Sequence, residues 1–374
     1  MINRRLFLRQ AGVLATLANS LPLIACSPKA STMNPEEAAY IERLTQRLVP
    51  RGFGRYLIDL PESFVVNPVN SSVIEGVTVA VKPMTKVNFD VRFEAYRLKL
   101  LQTKLPRSGN PFLRSTIPLP NQTIGGIFDR TEDATSSDRM ARTLELWAWK
   151  DQYCVTALIN AVDTSFPEDA ADSIARQLTT NVPEKLDQLL RVYGRVRGRK
   201  DDETPADKGD CIANGFVAGP SSDQQAINVS YHLQGAPDIY FDFNHTTTVR
   251  ERDTLLGRSA KVEQEMQASG TQTVRKGKRE LNGLPYEEWL MRGPTPDRVP
   301  GNMCVLHGNE AATDPAKPFV ELHLFNGFRI PAPERTLEEK AQLKDLEKAT
   351  LTEAQAVALW DKVVSTLRVR PGAI

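Results

Sequence analysis

Three stretches of the chain space their apolar residues as an α-helix does. Residues 34–49 open with an N-cap and a first-turn proline, Asn34 and Pro35, and then repeat apolar positions at three- and four-residue steps. Residues 89–105 and 351–369 show the same spacing. We predict a helix in each stretch and expect the last one to pack its apolar face over a sheet. The positions that carry these patterns are Ala39, Ile41, Leu44 and Leu48; Phe93, Tyr96, Leu100 and Leu101; and Ala356, Leu359, Trp360, Val363, Val364 and Leu367.

Short runs rich in β-branched residues and bounded by Pro or Gly predict strands in most of the remaining chain. In the first half one long run, residues 142–163, alternates as a strand does but also fits a helix. Further helices are predicted over residues 170–199, interrupted at Pro183, and over 253–268 and 336–349. The other strands are read from GRYLIDLP, ESFVVN, VIEGVTVAVKP and GGIFDRT, and then from CIANGFVAGP, AINVSYHLQ, PDIYFDFNHTTTV, TVRKGKREL, PYEEWLMRG, MCVLHGNE and PFVELHLFNGF.

The order of these elements predicts an α+β fold of two domains, each a largely antiparallel β-sheet packed with helices. Residues 26–53 are assigned to a tether and the N-terminal helix, 54–200 to the first domain, 201–210 to a linker and 211–374 to the second domain. The linker is placed where RVRGRKDDETPADKGD changes from basic to acidic without apolar residues to bury. Its basic half also matches a nucleic-acid patch, but the glycines and the acidic continuation favour a solvated hinge.

The start of the chain has the composition of an export signal. Three arginines among the first nine residues precede an apolar run that ends at Cys26 and is too short to span a bilayer. LIAC resembles a bacterial lipobox, so we predict a lipoprotein signal peptide at residues 1–25 and a lipid anchor on Cys26. An ordinary signal peptide with a chance cysteine is the alternative. The paired arginines also resemble a twin-arginine signal, which leaves the export route open.

Three further cysteines, Cys154, Cys211 and Cys304, follow Cys26. An exported protein meets an oxidising compartment, where a disulfide is allowed. We predict a pairing of Cys211 with Cys304, since both lie near strand starts in the predicted second domain; three buried free thiols are the alternative. No C-x-x-C pair occurs, so neither a redox motif nor a zinc ribbon is indicated.

Composition and motifs favour binding over catalysis. The chain is 41% hydrophobic and 25% charged with a net charge of +1, which argues against nucleic acid as the main partner. It contains no Gly-x-Ser-x-Gly nucleophile motif and no phosphate-binding glycine loop. The histidines form no H-E-x-x-H, although His323 after Glu321 and His307 before Glu310 leave open a site assembled from strands. We predict no catalytic residue, no metal site and no cofactor.

The acidic pair Glu287 and Glu288 is the most prominent candidate for chemistry. Adjacent residues of a strand point to opposite faces, so these carboxylates cannot act together as an acid and a base. We expect one to face solvent or a partner and the other to pair inside the protein, with Arg292 as the candidate. Trp289 beside them fits a core or an interface, and a core position is the preferred interpretation.

Four segments in order resemble a known family. GRYLIDLPESFVV, CIANGFVAGP, GLPYEEWLMRG and ALWDKVVSTLRVRPG are together similar to the immunity proteins that protect bacteria from their own type VI secretion lipase effectors, over residues 54–372. The resemblance implies that these segments are architectural, with Gly54 and Gly215 at strand entries and Trp360 and Leu367 on a packing face. It implies no contact residue that can be transferred to this chain.

The predicted function follows from this resemblance. It implies a periplasmic, non-enzymatic protein that grasps a cognate phospholipase effector with two domains and closes its catalytic cleft to lipid. Its predicted partners are that effector and, through the lipid anchor, the periplasmic face of the outer membrane; nucleic acid is not among them. A structural or assembly lipoprotein of the cell envelope is the alternative, and an uncharacterised hydrolase is the third interpretation.

Overall fold

The computed structural model describes residues 32–67, 70–106, 108–135, 140–165, 175–249, 251–330 and 345–373. The predicted signal peptide at 1–25, the predicted lipidation site Cys26 and most of the predicted helix at 336–349 lie outside these ranges. Within them, no helix is both long enough and apolar enough to cross a bilayer.

Five α-helices lie within the described residues: α1 (Pro35–Leu44), α2 (Lys86–Gln102), α3 (Val182–Tyr193), α4 (Ser259–Ser269) and α5 (Glu353–Val364). α1 opens on a capping box, in which the Asn34 side chain accepts from the Glu37 amide and the Glu37 side chain accepts from the Asn34 amide. It is shorter than predicted because a strand already begins at Leu48. Pro183 starts α3 instead of interrupting a longer helix, as expected for proline in a first turn.

The strands of the first half are β1 (Leu48–Phe53), β2 (Tyr56–Pro61), β3 (Phe64–Val66), β4 (Ser72–Ile74), β5 (Val77–Pro83), β6 (Leu113–Pro118), β7 (Ile124–Thr131), β8 (Ala141–Lys150), β9 (Tyr153–Val162) and β10 (Val196–Gly198). The single long run predicted at 142–163 is therefore a hairpin of β8 and β9. Its turn residues Asp151 and Gln152 have φ of 51° and 68°. Tight hairpin turns of this kind usually carry asparagine or glycine, and the sequence lacks that signal here.

The strands of the second half are β11 (Gly209–Ile212), β12 (Gly215–Ala218), β13 (Gln225–Leu233), β14 (Ala236–Thr246), β15 (Gln272–Leu281), β16 (Leu284–Pro294), β17 (Pro300–Gly308), β18 (Phe319–Asn326) and β19 (Arg368–Val369). Most of them join the first half in one antiparallel sheet, in the order β15-β16-β17-β18-β14-β13-β4-β5-β9-β8-β7-β6, with β3 also paired to β13. We call it the main sheet. The two halves meet where Ile227 of β13 pairs with Ser72 of β4.

The α+β prediction of largely antiparallel sheets packed with helices is confirmed. One apolar cluster runs through both halves of the chain and includes Phe64, Leu146, Phe241 and Trp360. A large shared core of this kind is the main source of stability of a folded chain. The predicted domain boundaries stay a prediction.

A small sheet of β1, β2 and β19 brings the two ends of the described chain together. Asp59 of β2 accepts a hydrogen bond from the guanidinium of Arg368 at 2.9 Å. Helix α5 contacts both β2 and α1. β2, which the sequence assigns to the first domain, therefore packs with the C-terminal helix and strand.

Several residues of the predicted linker at 201–210 form hydrogen bonds with the rest of the protein. The buried guanidinium of Arg199 donates to the carbonyl oxygens of Asp201 and Glu203 at 2.9 and 2.7 Å. The Asp201 carboxylate accepts from the hydroxyl of Tyr231 at 2.7 Å. The last two residues of the segment begin β11. Asp201 and Glu203 are therefore held by the rest of the protein, whereas Asp202, Thr204 and residues 206–208 are exposed, and the linker stays a prediction.

Cys154, Cys211 and Cys304 are free thiols, and all three are buried. The predicted pairing of Cys211 with Cys304 is absent from the structure. Cys211 lies in a small sheet of β10, β12 and β11, with its Sγ against Gly52. Cys304 lies on β17 of the main sheet, opposite Leu290 of β16. A disulfide needs Cα atoms about 4.4–6.8 Å apart, and location in the same half of the sequence does not ensure that.

Candidate functional site

Helix α2 packs one face onto β7 and β8 in the first half of the main sheet. The ring of Phe93 stacks on that of Phe128, with centroids 5.1 Å apart. The ring of Tyr96 stacks on that of Trp147 at 5.0 Å. Such ring pairs add about 0.5–1.5 kcal/mol each beyond the burial of area. The sheet-facing side of the helix is formed by Phe89, Phe93, Tyr96 and Leu100.

The opposite side of α2 is also apolar, and nothing in the described chain covers it. Val87, Val91, Leu98 and Leu101 are 71%, 64%, 44% and 50% exposed. At 3.6 residues per turn, these four positions fall within an arc of about 80° on the side away from the sheet, and the exposed Glu94 falls within the same arc. Only two other large hydrophobic side chains of the described residues are classed as exposed. We call these four residues the outer face of α2.

Four charged residues on or beside the outer face form two ion pairs within α2. Lys86 Nζ lies 2.6 Å from Asp90 Oδ2, and Arg97 Nη2 lies 2.7 Å from Glu94 Oε1. Both pairs are exposed, and the two partners of each pair lie about one helical turn apart. Each pair therefore contributes only a few tenths of a kcal/mol to stability. Their charges cancel in pairs, but Arg92 and Lys99 of the same helix are exposed as well, so α2 is basic overall.

The outer face was only partly visible in the sequence analysis. A helix was predicted at 89–105, but Leu101 was placed on the same face as Phe93. In the structure Leu101 points away from the sheet and is half exposed. Val87, Val91 and Leu98 form a second stripe at helical spacing, and this stripe is the signal that reveals a helix with two apolar sides.

Glu287 and Glu288 point to different surroundings, as predicted. Glu288 is buried and accepts hydrogen bonds from Arg275 Nε at 2.9 Å, Arg279 Nη1 at 2.6 Å and Trp360 Nε1 at 2.7 Å. Glu287 accepts from a backbone amide at 2.7 Å beside a pocket. Glu288 thus links β15 and β16 to α5. Its role is structural, and the two carboxylates do not form an acid–base pair.

The expected partner of the buried carboxylate was wrong. Arg292 pairs with Glu353 of α5 at 3.1 Å and not with Glu288. Because strand side chains alternate, Arg292 shares a face of β16 with Glu288 but lies four residues further along. Trp289 is fully buried, which confirms the core interpretation, and Lys276 Nζ lies 4.8 Å from its ring centroid.

The histidines divide into two isolated residues and one cluster. Burial lowers the pKa of His245, whose ring is fully buried, and lowers the pKa of His232 as well. Both therefore favour the neutral form at pH 7. His307 and His323 are brought together with Glu321 by the pairing of β17 and β18.

The three buried thiols are poorly suited to nucleophilic chemistry. Burial raises the pKa of Cys154 to about 11 and also raises the pKa of Cys211 and Cys304 above the ordinary value. The thiolate is the reactive form of cysteine. At neutral pH these side chains are protonated and act as small apolar core residues.

The sequence matches two models of one protein family. The Tle cognate immunity protein 4 N-terminal domain matches residues 50–199, and the C-terminal domain of the same family matches residues 203–372. The chain therefore belongs to the Tle cognate immunity protein 4 family, and the predicted resemblance is confirmed. No curated protein sequence matches the chain.

Solved structures share the fold over most of the chain. The crystal structure of the Tle4–Tli4 complex contains a chain with a TM-score of 0.62 and 19% identity, over 87% of this chain and 98% of that one. The apo structure of the immunity protein TplEi of the type VI secretion system from Pseudomonas aeruginosa gives a TM-score of 0.60 at 20% identity, over 87% and 97%. At these identities the likeness is one of fold.

Proposed function

We propose that this protein inhibits a type VI secretion lipase effector by binding it, and that it performs no catalysis itself. Membership of the Tle cognate immunity protein 4 family supports this function. The similar chain in the Tle4–Tli4 complex belongs to an assembly with a second protein, and the likeness extends over both halves of this chain. The alternative of a structural or assembly lipoprotein is not favoured by these matches.

Within this structure, the solvent exposure of the apolar outer face of α2 is the main support for the proposal. Exposed apolar area costs about 25 cal/mol per Å² relative to burial, and exposed apolar side chains grouped on one surface are typical of a docking site. We assign the effector as its occupant. An enzyme that takes lipid from a membrane presents apolar surface around its cleft. Branched aliphatic side chains held on a rigid helix are suited to cover such a surface and to keep lipid out.

A membrane is the rival occupant of the outer face. Helices that lie on membranes combine an apolar face that carries Trp or Phe with a polar face rich in Lys and Arg. Arg92 and Lys99 are exposed cations of α2. The outer face itself carries no Trp or Phe, however, and the Glu94 carboxylate lies between Val91 and Leu98 on the same side of the helix. Both features favour the apolar surface of a protein partner over an anionic bilayer.

One helix face is too small to account for inhibition of a toxin. Silencing an enzyme present at low copy number requires sub-nanomolar affinity, or about −12 kcal/mol and stronger. Permanent complexes of that kind bury about 2,000 Å² or more. We therefore propose that the second half of the chain contributes a further part of the interface and that the outer face is one contact within it.

Inhibition tests the proposal directly. The untagged mature protein is titrated into the lipase effector encoded beside its gene, and hydrolysis of phospholipid vesicles is followed. We expect complete inhibition at an equimolar ratio. Activity that persists with the protein in excess would refute the proposed function.

Substitution in the outer face tests its assignment separately. Val91→Glu with Leu98→Glu places two charges on the face, and we expect effector binding to weaken about 100-fold or more with an unchanged circular dichroism spectrum. Leu178→Glu, at an exposed leucine outside α2, is the matched control. If the double variant binds as tightly as the control, the outer face is not the contact. If only its binding to effector-free vesicles is lost, the membrane is the occupant.

We also propose that the protein acts in the periplasm, with residues 1–25 removed and lipid attached to Cys26 at the outer membrane. Ser27 after the cysteine differs from the aspartate typical of inner-membrane retention. Cys26→Ala is expected to leave the fold intact and to move the protein from the membrane to the soluble fraction. Retention of this variant on membranes would contradict lipidation.

A further inference from the structure

A cluster of two histidines and one glutamate lies on the main sheet, away from α2. His307 of β17 pairs directly with Glu321 of β18, and His323 follows two residues along on the same face of β18. His307 Nε2 lies 3.2 Å from Glu321 Oε1, and His323 Nε2 lies 3.6 Å from the same oxygen. The three candidate ligand atoms all lie within 4.8 Å of one another.

His307 is held with one nitrogen directed into this cluster. Its Nδ1 lies 3.1 Å from Glu310 Oε2, and Glu310 in turn accepts from Arg258. Its Nε2 is buried and makes no hydrogen bond of good geometry, and it lies 3.2 Å from Glu321 Oε1, which forms an ion pair with the ring only when the ring is protonated. The side chain is 6% exposed. A buried imidazole nitrogen without a hydrogen bond is costly unless another ligand satisfies it.

We propose that His307 Nε2, His323 Nε2 and Glu321 Oε1 form a binding site for a divalent transition-metal ion of the zinc type. Zinc takes nitrogen and carboxylate ligands at about 2.0–2.2 Å, and tetrahedral geometry then places ligand atoms about 3.3–3.5 Å apart. The two measured separations, 3.2 and 3.6 Å, lie close to this range. Two imidazoles and one carboxylate are also the donor types that suit zinc.

The residues behind the three ligands have the arrangement that supports a metal site. A ligating histidine commonly donates its second ring N–H to a carboxylate, and Glu310 occupies that position for His307. The other oxygen of Glu321, Oε2, accepts from Asn244 Nδ2 at 3.3 Å, which orients Oε1 toward the histidines. Partners of this kind fix the tautomer and the direction of each ligand.

Two of the three proposed ligands can be reached from solvent. Glu321 and His323 are only partly buried, with side chains 15% and 18% exposed. His307 and Glu310 also line a cavity of about 560 Å³ with Tyr286 and Glu287, although Glu321 and His323 do not line it. Three protein ligands with a fourth position open to water are usual in zinc sites that are not purely structural. A site assembled from strands is left open by the sequence at these histidines, but no metal site is predicted there, because the sequence does not show that the two strands pair.

Metal binding is tested on the untagged mature protein after treatment with a chelator and dialysis. Zinc is titrated by calorimetry, and Co²⁺ is added separately to record the visible absorption of a tetrahedral site. We expect one ion per chain and a rise in melting temperature with zinc. His323→Gln should abolish stoichiometric binding, and Glu310→Gln should weaken it about 10–100-fold.

His232→Gln is the matched control, since it removes a histidine that lies beside Asn67 and outside the cluster. It should bind zinc as the unchanged protein does. Absence of stoichiometric zinc in the unchanged protein would overturn the proposal. Equal affinity of His323→Gln and His232→Gln would also overturn it, and would leave a protonated His307 between Glu310 and Glu321 as the explanation of the cluster.

Discussion

Helices α2 and α5 begin alike and differ in how much of their apolar surface the chain covers. Both start at a threonine N-cap, Thr85 and Thr352, whose side chain accepts from a backbone amide three residues on. α5 has seven buried residues, whereas α2 has only Phe89 and Leu100. The difference shows that apolar content alone does not identify a core helix. What matters is whether each apolar side meets another part of the same chain.

The polar contacts also bind α5 more firmly to the sheet than α2. α5 is tied to the sheet by the buried bond from Trp360 Nε1 to Glu288 and by Asp361, which pairs with Arg275 at 2.6 Å. α2 is joined to the sheet by the hydrogen bond from the Tyr96 hydroxyl to Glu145 at 2.9 Å. α5 is therefore an internal element, and α2 is an element attached by one side only.

The largest effect is expected from Trp360→Ala in α5. The variant leaves a cavity in the shared core and removes a donor from the buried Glu288 carboxylate, so we expect a loss of about 3–5 kcal/mol in the free energy of unfolding. Urea denaturation followed by circular dichroism measures it. Trp360→Phe, which keeps most of the ring volume, should lose less. A loss below about 1 kcal/mol for Trp360→Ala would contradict the assignment of α5 to the core.

The two helices also show how far the sequence alone could lead. The apolar face of α5 was predicted correctly because it repeats at helical steps over about three turns, which is a local signal. In α2 the same signal predicted the helix and its sheet-facing aromatics. The direction of Leu101 was missed because the residues of the two apolar stripes alternate along the sequence, although the stripes lie on opposite sides of the helix.

Features that depend on distant parts of the chain were not predictable in this way. The join of β13 to β4 and the meeting of His307 with Glu321 depend on strand register. The anchoring of Asp201 by Tyr231 depends on how segments apart in sequence pack together. Register is set by tertiary packing and by turns such as the one at Asp151. The placement of Cys211 and Cys304 in separate sheets depends on tertiary packing as well, so the sequence could not predict it.

A smaller effect is expected from Tyr96→Phe on the covered side of α2. The change removes a hydrogen bond to a carboxylate, and at pH 9 we expect a loss of about 1.5 kcal/mol in the free energy of unfolding. The pH dependence is more diagnostic. Burial, followed by the charge of Glu145, raises the pKa of Tyr96 from 10.0 to about 12, although Arg130 opposes this.

The sign of this pH dependence follows from linkage. The folded state holds the Tyr96 proton more tightly than the unfolded state does, so the associated stability is complete below pH 10 and is lost as the pH rises toward about 12. Tyr96→Phe has no such proton. The stability difference between the two proteins should therefore narrow between pH 9 and pH 11. A difference that stays constant would show that the phenol is not perturbed.

The smallest effect is expected from Leu98→Ala on the outer face. Leu98 and Leu100 are the same residue type, two positions apart on one helix, but only Leu100 is buried. Leu100→Ala should lower the free energy of unfolding by about 2–5 kcal/mol. Leu98→Ala should change it by no more than about 0.5 kcal/mol, because Leu98 is 44% exposed and lies on the side of the helix away from the sheet. If Leu98→Ala were as destabilising as Leu100→Ala, the outer face would be part of the core, and a partner would not be needed to explain it.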